Sequence, residues 1–457
     1  MTLKKILDWK WGPPSEPRVI RESPAPDLRN RPTVWVLGAG CSRNYTGAAV
    51  LQENYPNIKP PLQTDFFQMV AIVAQFVNRH LNQHAESPFC HLIYSLERLY
   101  PSSGWNYFAE FWEGDPSKLI ARDSPNLEDI LTLVDLSVEA GWPTFGVFPF
   151  SKLGGIAEGA YFNPFHALDE SGFFSGDRLR LLNLMVLTLI VSMGGTECAF
   201  HERLAGLIKP GDTVLTFNYD TLIDEALFES GKLTHSAYGV DFAGVIKEMT
   251  PGEDHSFGKA HYGILADYQE SPVQLLKLHG SLNWVKCPVC DSSYLDVGTE
   301  GMAFMIRLRR YFEWLIKHLA NSDKNPRVAD WLREVDPVVL HFECPRCGGR
   351  PLQRVIIPPT LHKSFTKNIF QLQWYRAAKS LAPGIQGKAK EDYDLIVIGY
   401  SLPQTDYFSR LLFSLSREPR SITLVSPTND RVGVFQSAFG GLVLPRHVHP
   451  DEFFESL

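Results

Sequence analysis

The sequence predicts an α/β fold: a doubly wound parallel sheet with a helical insertion and a small cysteine-rich module. Three observations lead there. Short apolar runs, each followed by turn residues, recur at Thr33 to Leu37, Thr213 to Phe217, Val273 to Leu278, Leu395 to Ile398 and Ile422 to Val425. Runs of this kind suit central parallel strands, which are buried on both faces. Helical patterns lie between them, as at Thr221 to Leu227 and Asp406 to Leu415, and strand–helix alternation marks a sheet covered by helices. Positions 66–208 instead lack strand-like runs and show helical spacing at Phe66 to Gln83, Asn126 to Ala140 and Asp177 to Met193, as a helical insertion would.

The bulk composition narrows the function classes. A chain of 457 residues, 44% hydrophobic and 21% charged, has the make-up of a soluble globular protein, long enough for one large domain with insertions or for two to three ordinary ones. A formal charge of −7 gives no electrostatic reason to expect direct nucleic-acid binding. Arg307, Arg309 and Arg310 form a small basic patch, which reads as a solvated helix face. The N-terminus lacks the apolar core of a signal peptide. The longest apolar run, Leu181 to Met193, is interrupted by Asn183, Thr188 and Ser192 and is too short to span a membrane, so it reads as a buried helix. Of seven cysteines, four stand in two C-x-x-C pairs, which points to metal ligation in a reducing compartment. The cytoplasm is the expected location.

In chain order, residues 1–30 contain Pro13, Pro14, Pro17, Pro24 and Pro26 and read as an irregular arm, leaving 31–457 as the main domain. The first strand ends in Gly38-Ala39-Gly40-Cys41-Ser42. Glycines there let the backbone approach a pyrophosphate, whose charge a helix N-terminus offsets; a tight turn with no ligand fits equally well. Ser42 reads either as a phosphate donor or as a helix cap, and Cys41 as a buried small apolar residue.

The second and third strands end in Thr216-Phe217-Asn218-Tyr219-Asp220 and Leu278-His279-Gly280-Ser281. Ligands of open α/β sheets bind beyond the carboxyl ends of the strands, where an amide, a carboxylate and an imidazole would share one crevice. Each residue also has a plainer reading: an Asx-turn for Asn218, an N-cap for Asp220, a backbone-satisfied ring for His279. Their joint placement favours chemistry, with Gly280 leaving room beside the imidazole.

Cys287-Pro288-Val289-Cys290 and Cys344-Pro345-Arg346-Cys347 form the strongest local motif. Two C-x-x-C turns supply four thiolates to a tetrahedral Zn2+, and Gly348-Gly349 permits the tight second knuckle. The stretch between the pairs exceeds the ~15–20 residues of compact zinc ribbons, and a helix inserted at Met302 to Ala320 accounts for the excess. The expected zinc module spans 284–357. Four sulfur ligands leave no open position, so this zinc is structural. Gly399-Tyr400-Ser401-Leu402 and Ser426-Pro427-Thr428-Asn429-Asp430 follow the last two strands and offer small hydroxyl groups and amides to ribose and phosphate oxygens.

Taken in order, these elements resemble the sirtuin superfamily, in particular the Sir2-like domains of bacterial anti-phage defence proteins. Gly38-Ala39-Gly40-Cys41-Ser42 is similar to the family's cofactor loop, and Thr216-Phe217-Asn218-Tyr219-Asp220 to its Thr-Gln-Asn-Ile-Asp element. Leu278-His279-Gly280 is similar to its histidine-glycine element, the cysteine pairs to its zinc module, and Gly399-Tyr400-Ser401-Leu402 to its Gly-Thr-Ser segment. Asn429 stands where the family has a late asparagine at the adenosine ribose.

The resemblance implies a Rossmann-like sheet binding NAD through Gly38, Ala39, Gly40, Ser42, Asp65, Phe217, Gly399, Ser401 and Asn429. It makes Asn218 the residue that orients the ribose and a water, His279 the base, and Asp220 a support for cofactor geometry. Phe217 and Tyr219 depart from the family's glutamine and isoleucine. The deacylases' Pro-Asp-Phe-Arg stretch is replaced by Pro61-Leu62-Gln63-Thr64-Asp65-Phe66-Phe67. These departures resemble the branch that hydrolyses NAD, with control by self-association or a partner subunit. A protein deacylase, an ADP-ribosyltransferase and a non-catalytic NAD sensor are the alternative readings.

Overall fold

A computed structural model describes residues 20–44, 59–70, 126–140, 198–246, 270–297, 343–349, 352–357, 369–381 and 393–457 except 405, 440 and 442, with parts of 72, 181–193, 262–263 and 339–340. The strands are β1 (Arg21–Glu22), β2 (Thr33–Leu37), β3 (Thr213–Thr216), β4 (Gly244–Ile246), β5 (Tyr262–Gly263), β6 (Gln274–Lys277), β7 (Gly280–Lys286), β8 (Ser293–Asp296), β9 (Val339–Leu340), β10 (Leu352–Ile356), β11 (Asp394–Ile398), β12 (Ser421–Val425), β13 (Val443–Leu444) and β14 (Arg446–Val448). The helices are α1 (Leu127–Ala140), α2 (Ala199–Leu207), α3 (Leu222–Glu229), α4 (Ile369–Leu381), α5 (Tyr407–Leu415) and α6 (Val432–Ala438).

The main sheet has six strands in the order β14-β12-β11-β2-β3-β6, and every pairing in it is parallel. Numbered by chain position within the sheet, this is the 3-2-1-4-5-6 order of the dinucleotide-binding fold, with its switch point between β2 and β11. Alternate residues split the strands between two cores. Trp35, Leu37, Val214, Leu275, Ile396 and Ile398 pack under Leu204 of α2 and Ile223 and Leu227 of α3. Val34, Val36, Leu215, Leu276, Leu395 and Val397 pack under Ala377 of α4, Phe413 of α5 and Phe435 of α6. The doubly wound parallel sheet is therefore present, and all five expected runs lie in it. β14, with its polar Arg446 and His447 at the sheet edge, is the strand the pattern did not announce.

Two expectations change. The cysteine-bearing sheet reaches beyond 284–357: it has six strands, order β5-β4-β8-β7-β10-β9, begins at Gly280 and recruits β4 and β5 from far upstream. Its pairings are antiparallel except β4 with β8. The end of the arm is also ordered by pairing, since β1 lies parallel to β13. Within 66–208 the described portions are helical, and Leu181, Met185, Val186 and Met193 are buried as expected; the Arg307 patch, the helix at 302–320 and residues 1–19 lie outside the described residues.

The glycine turn after β2 meets the turn after β11 backbone to backbone. Gly40 N–H donates to the Gly399 carbonyl at 2.9 Å, and Gly38 N–H to that of Ile398 at 3.0 Å. A methyl on Gly399 would stand 2.2 Å from Cys41 N and 2.3 Å from Gly40 C, at φ +62°. Neither backbone can yield, so Gly399→Ala is expected to destabilise the fold by about 3 kcal/mol or more. Gly206→Ala in α2, where a methyl meets nothing within 4 Å, is the control and should stabilise by about 0.5–1 kcal/mol. Urea titration of both variants is the check; equal midpoints would refute the packing argument.

Candidate active site

Asn218 follows β3 and His279 follows β6, so the parallel pairing of these strands sets both residues at the carboxyl edge of the sheet. Neighbouring rings close the gap. Phe217 lies edge-on to the imidazole with centroids 5.1 Å apart, and Tyr219 is 6.1 Å away. Both functional side chains are buried, with Asn218 7% and His279 3% exposed.

The Asn218 amide reaches across to the glycine turn instead of forming an Asx-turn. Its Nδ2 donates to the Gly38 carbonyl at 3.1 Å and to Ser42 Oγ at 3.2 Å. Its Oδ1 is buried and has no hydrogen-bond partner among the described residues. Leaving an amide oxygen buried and unsatisfied costs about 1–3 kcal/mol, which a hydroxyl group or a water bonded to it would offset. Asp220 stands one residue before the helix's N-cap, which is Thr221, and uses both carboxylate oxygens inside the protein. Its Oδ1 accepts from the Leu222 N–H at 3.1 Å at the start of α3, and its Oδ2 accepts from Ser42 Oγ at 3.0 Å. Burial pushes its carboxyl above the usual range, offset in part by Lys277. Ser42 is thus engaged inside the protein and neither caps a helix nor faces outward.

Beneath this loop lies an enclosed polar layer that the sequence did not reveal. Lys277, fully buried, donates to the Asp220 carbonyl at 2.6 Å and to Asp224 Oδ2 at 2.8 Å. Tyr238 donates to the other Asp224 oxygen at 2.6 Å. Lys277 therefore ties the strand end that carries His279 to the loop that carries Asn218. Removing it leaves a buried carboxylate short of its cation, so Lys277→Met should lower stability by about 3–5 kcal/mol, read by chemical denaturation. A cost below about 1 kcal/mol would contradict this account. Cys41 is buried as expected, and burial drives its thiol well above its ordinary pKa. His201 lies 3.5 Å from it and is held neutral, its pKa lowered to about 4 chiefly by burial.

His279 has a partner from a third strand end. Its Nε2 lies 3.4 Å from Asp406 Oδ2, both side chains being buried. Asp406 is the N-cap of α5, accepting from the Ser409 N–H and hydroxyl, and it also accepts from Tyr400 OH at 3.0 Å. Tyr400 in turn stacks flat on Phe217 at 4.0 Å. The cap signature of Asp406 before an amphipathic helix was the available signal for this residue.

Gly280 does not make room for the imidazole. Its φ is +80°, and a methyl there would stand 2.1 Å from the Val355 carbonyl, so the glycine admits β10. Asp65 is paired with Arg43, whose Nη2 is 2.5 Å from Oδ2. Gly38, Gly40 and Gly399 are committed to one another, as described above. Ala39 is exposed on the same turn, Ser401 is half-buried, and Asn429 is exposed on the loop after β12, one strand further from the switch point. Phe217 is buried in the core under Tyr400.

The four cysteine sulfurs lie within 4.8 Å of one another, with Cys287–Cys347 and Cys290–Cys344 each at 3.6 Å. Zn–S bonds of about 2.3 Å in a tetrahedron require sulfurs about 3.8 Å apart, so the cluster is compatible with a zinc site. Gly348, at φ +70°, turns the second knuckle.

No family model and no curated protein matches the sequence. The chain is similar to solved sirtuin structures. One is a Sir2 homolog in complex with NAD, 12% identical over 71% of this chain and 88% of that one, with a TM-score of 0.29. Another comes from work on the mechanism and regulation of Sir2 enzymes, 12% identical over 94% and 90%, TM-score 0.27. A third is a Sir2 homologue mutant bound to ADP ribose, 13% identical over 69% and 96%, TM-score 0.26. Scores this low transfer no residue's role. Among the described residues no helix is long and apolar enough to cross a membrane.

Proposed function

We propose that this chain is an NAD hydrolase, cleaving the bond between nicotinamide and its ribose to give nicotinamide and ADP-ribose. The observation that carries the reading is Asn218: an amide anchored to the glycine turn through its nitrogen, with a buried, unpartnered oxygen. In this reading that oxygen accepts from a ribose hydroxyl or from the attacking water. Departure of nicotinamide leaves an oxocarbenium-like sugar. Water adds to its carbon, and His279 takes the proton that the water loses. Asp220 and Lys277 fix the loop that holds Asn218.

In this reading residues 31–457 form one NAD-binding unit into which 66–208 are inserted, and the four cysteines hold a structural zinc. The chain serves as an effector of anti-phage defence, with turnover gated by self-association or a partner subunit, since unchecked loss of NAD would harm its host. The test is nicotinamide release by pure protein across a range of protein concentrations, with and without an acyl-lysine peptide. Release independent of the peptide supports hydrolysis. Release only with peptide would make the chain a deacylase, and tight NAD binding without turnover at any concentration would make it a sensor.

A further inference from the structure

Asp406 does more than its cap requires. An N-cap needs one oxygen for the first free N–H groups of its helix, and Asp406 Oδ1 supplies it to Ser409 N at 3.4 Å. The other oxygen gathers Tyr400 OH at 3.0 Å, the Ser409 hydroxyl and His279 Nε2 at 3.4 Å. Asp406 is fully buried, so these groups are what sustain a negative charge there. The positive end of α5 adds to that support. We propose that Asp406 is the positioning residue of His279: its carboxylate draws the ring proton to Nε2, orients the imidazole and leaves Nδ1 as the basic nitrogen. The proposal rests on the hydrolase reading for its catalytic meaning, though not for the pairing itself. At 3.4 Å the contact is long, as catalytic hydrogen bonds commonly are in the absence of substrate.

Other titratable groups surround the ring. Tyr219 and Asp220 lie on the loop after β3, and Lys277 on the ring's own strand. Tyr400 follows β11, and Glu128 of α1 acts electrostatically on it. Burial and the Asp406 charge push the Tyr400 hydroxyl well above its ordinary pKa, so it stays a proton donor to that carboxylate at neutral pH. Asp406 is the carboxylate in ion-pair contact with the imidazole.

Asp406→Asn separates the two roles, because asparagine caps helices as well as aspartate does but carries no charge. The experiment follows the His279 ring by NMR in full-length protein with 13C-labelled histidine, assigned by its loss in His279→Ala. A nearby carboxylate favours the imidazolium, so the titration midpoint should fall by about one pH unit in Asp406→Asn while the melting temperature changes little. Ser409→Ala removes a competing hydroxyl from the same oxygen and should move the midpoint the other way, which keeps the test alive if the first variant folds poorly. The same midpoint in wild type and both variants, or no titration in any of them, overturns the proposal. If NAD is cleaved, the acid limb of kcat/KM should shift to lower pH in step with the NMR midpoint. A shifted midpoint in a protein that never cleaves NAD supports the pairing and sinks the hydrolase reading alone.

Discussion

Asn218→Ala is expected to reduce nicotinamide release by about 10²–10³-fold, the loss typical of removing a preorganised polar group from a closed site. The substitution deletes the unpartnered acceptor and also two donor contacts to the glycine turn, at Gly38 and Ser42. Stability should drop by only about 1–3 kcal/mol. Rate and stability must therefore be measured together, nicotinamide by chromatography and unfolding by urea titration. His279→Ala should lower the rate by about 10²–10⁴-fold, as loss of a general base does. The ring also contacts Asp406, so the variant's stability must be measured beside its rate. Wild-type rates in both folded variants would end the assignment of these residues.

Loss of zinc is the second large effect. Cys287 and Cys344 are buried in a small core with Ile246, Val285, Tyr294 and Leu352. Structural zinc in small domains contributes about 10–16 kcal/mol of apparent binding energy, so the second sheet should not persist without it. Cys344→Ser, or treatment with a strong chelator, is expected to release one zinc per chain and to melt β7, β8 and β10. Hydrogen exchange would show the loss of protection in those strands first. A purified protein that contains no zinc and tolerates Cys344→Ser would refute the metal site.

The parallel sheet was legible because its strands are short, apolar on both sides and closed by turn residues. β2, β3, β6, β11 and β12 all show this. The second sheet was not, since β4, β5 and β9 are two or three residues long and find their partners across large gaps in sequence. The placement of Asn218, His279 and the cysteines was legible because the first two close apolar runs and the last repeat one C-x-x-C spacing. The purposes of Gly280, Gly38 and Gly399 were not, because each glycine accommodates a backbone that only the folded chain brings near. Asp406 and Lys277 were hidden by ordinary readings. One stood only at the start of a helical pattern and the other inside an apolar run, and their contacts appear once the fold buries both.

One further consequence comes from the way the chain leaves the main sheet. It passes from β6 to β7 through Leu278 and His279, and both residues are pinned. Leu278 N–H donates to the Thr216 carbonyl at 2.9 Å, and the His279 carbonyl accepts from Ile357 N–H at 2.8 Å. The imidazole thus rides on a peptide shared by two hydrogen-bonded layers, where local opening is as costly as opening either layer. On the hydrolase reading, heat that inactivates this centre has to loosen one of the two layers, so activity should persist up to the first cooperative melting of a layer.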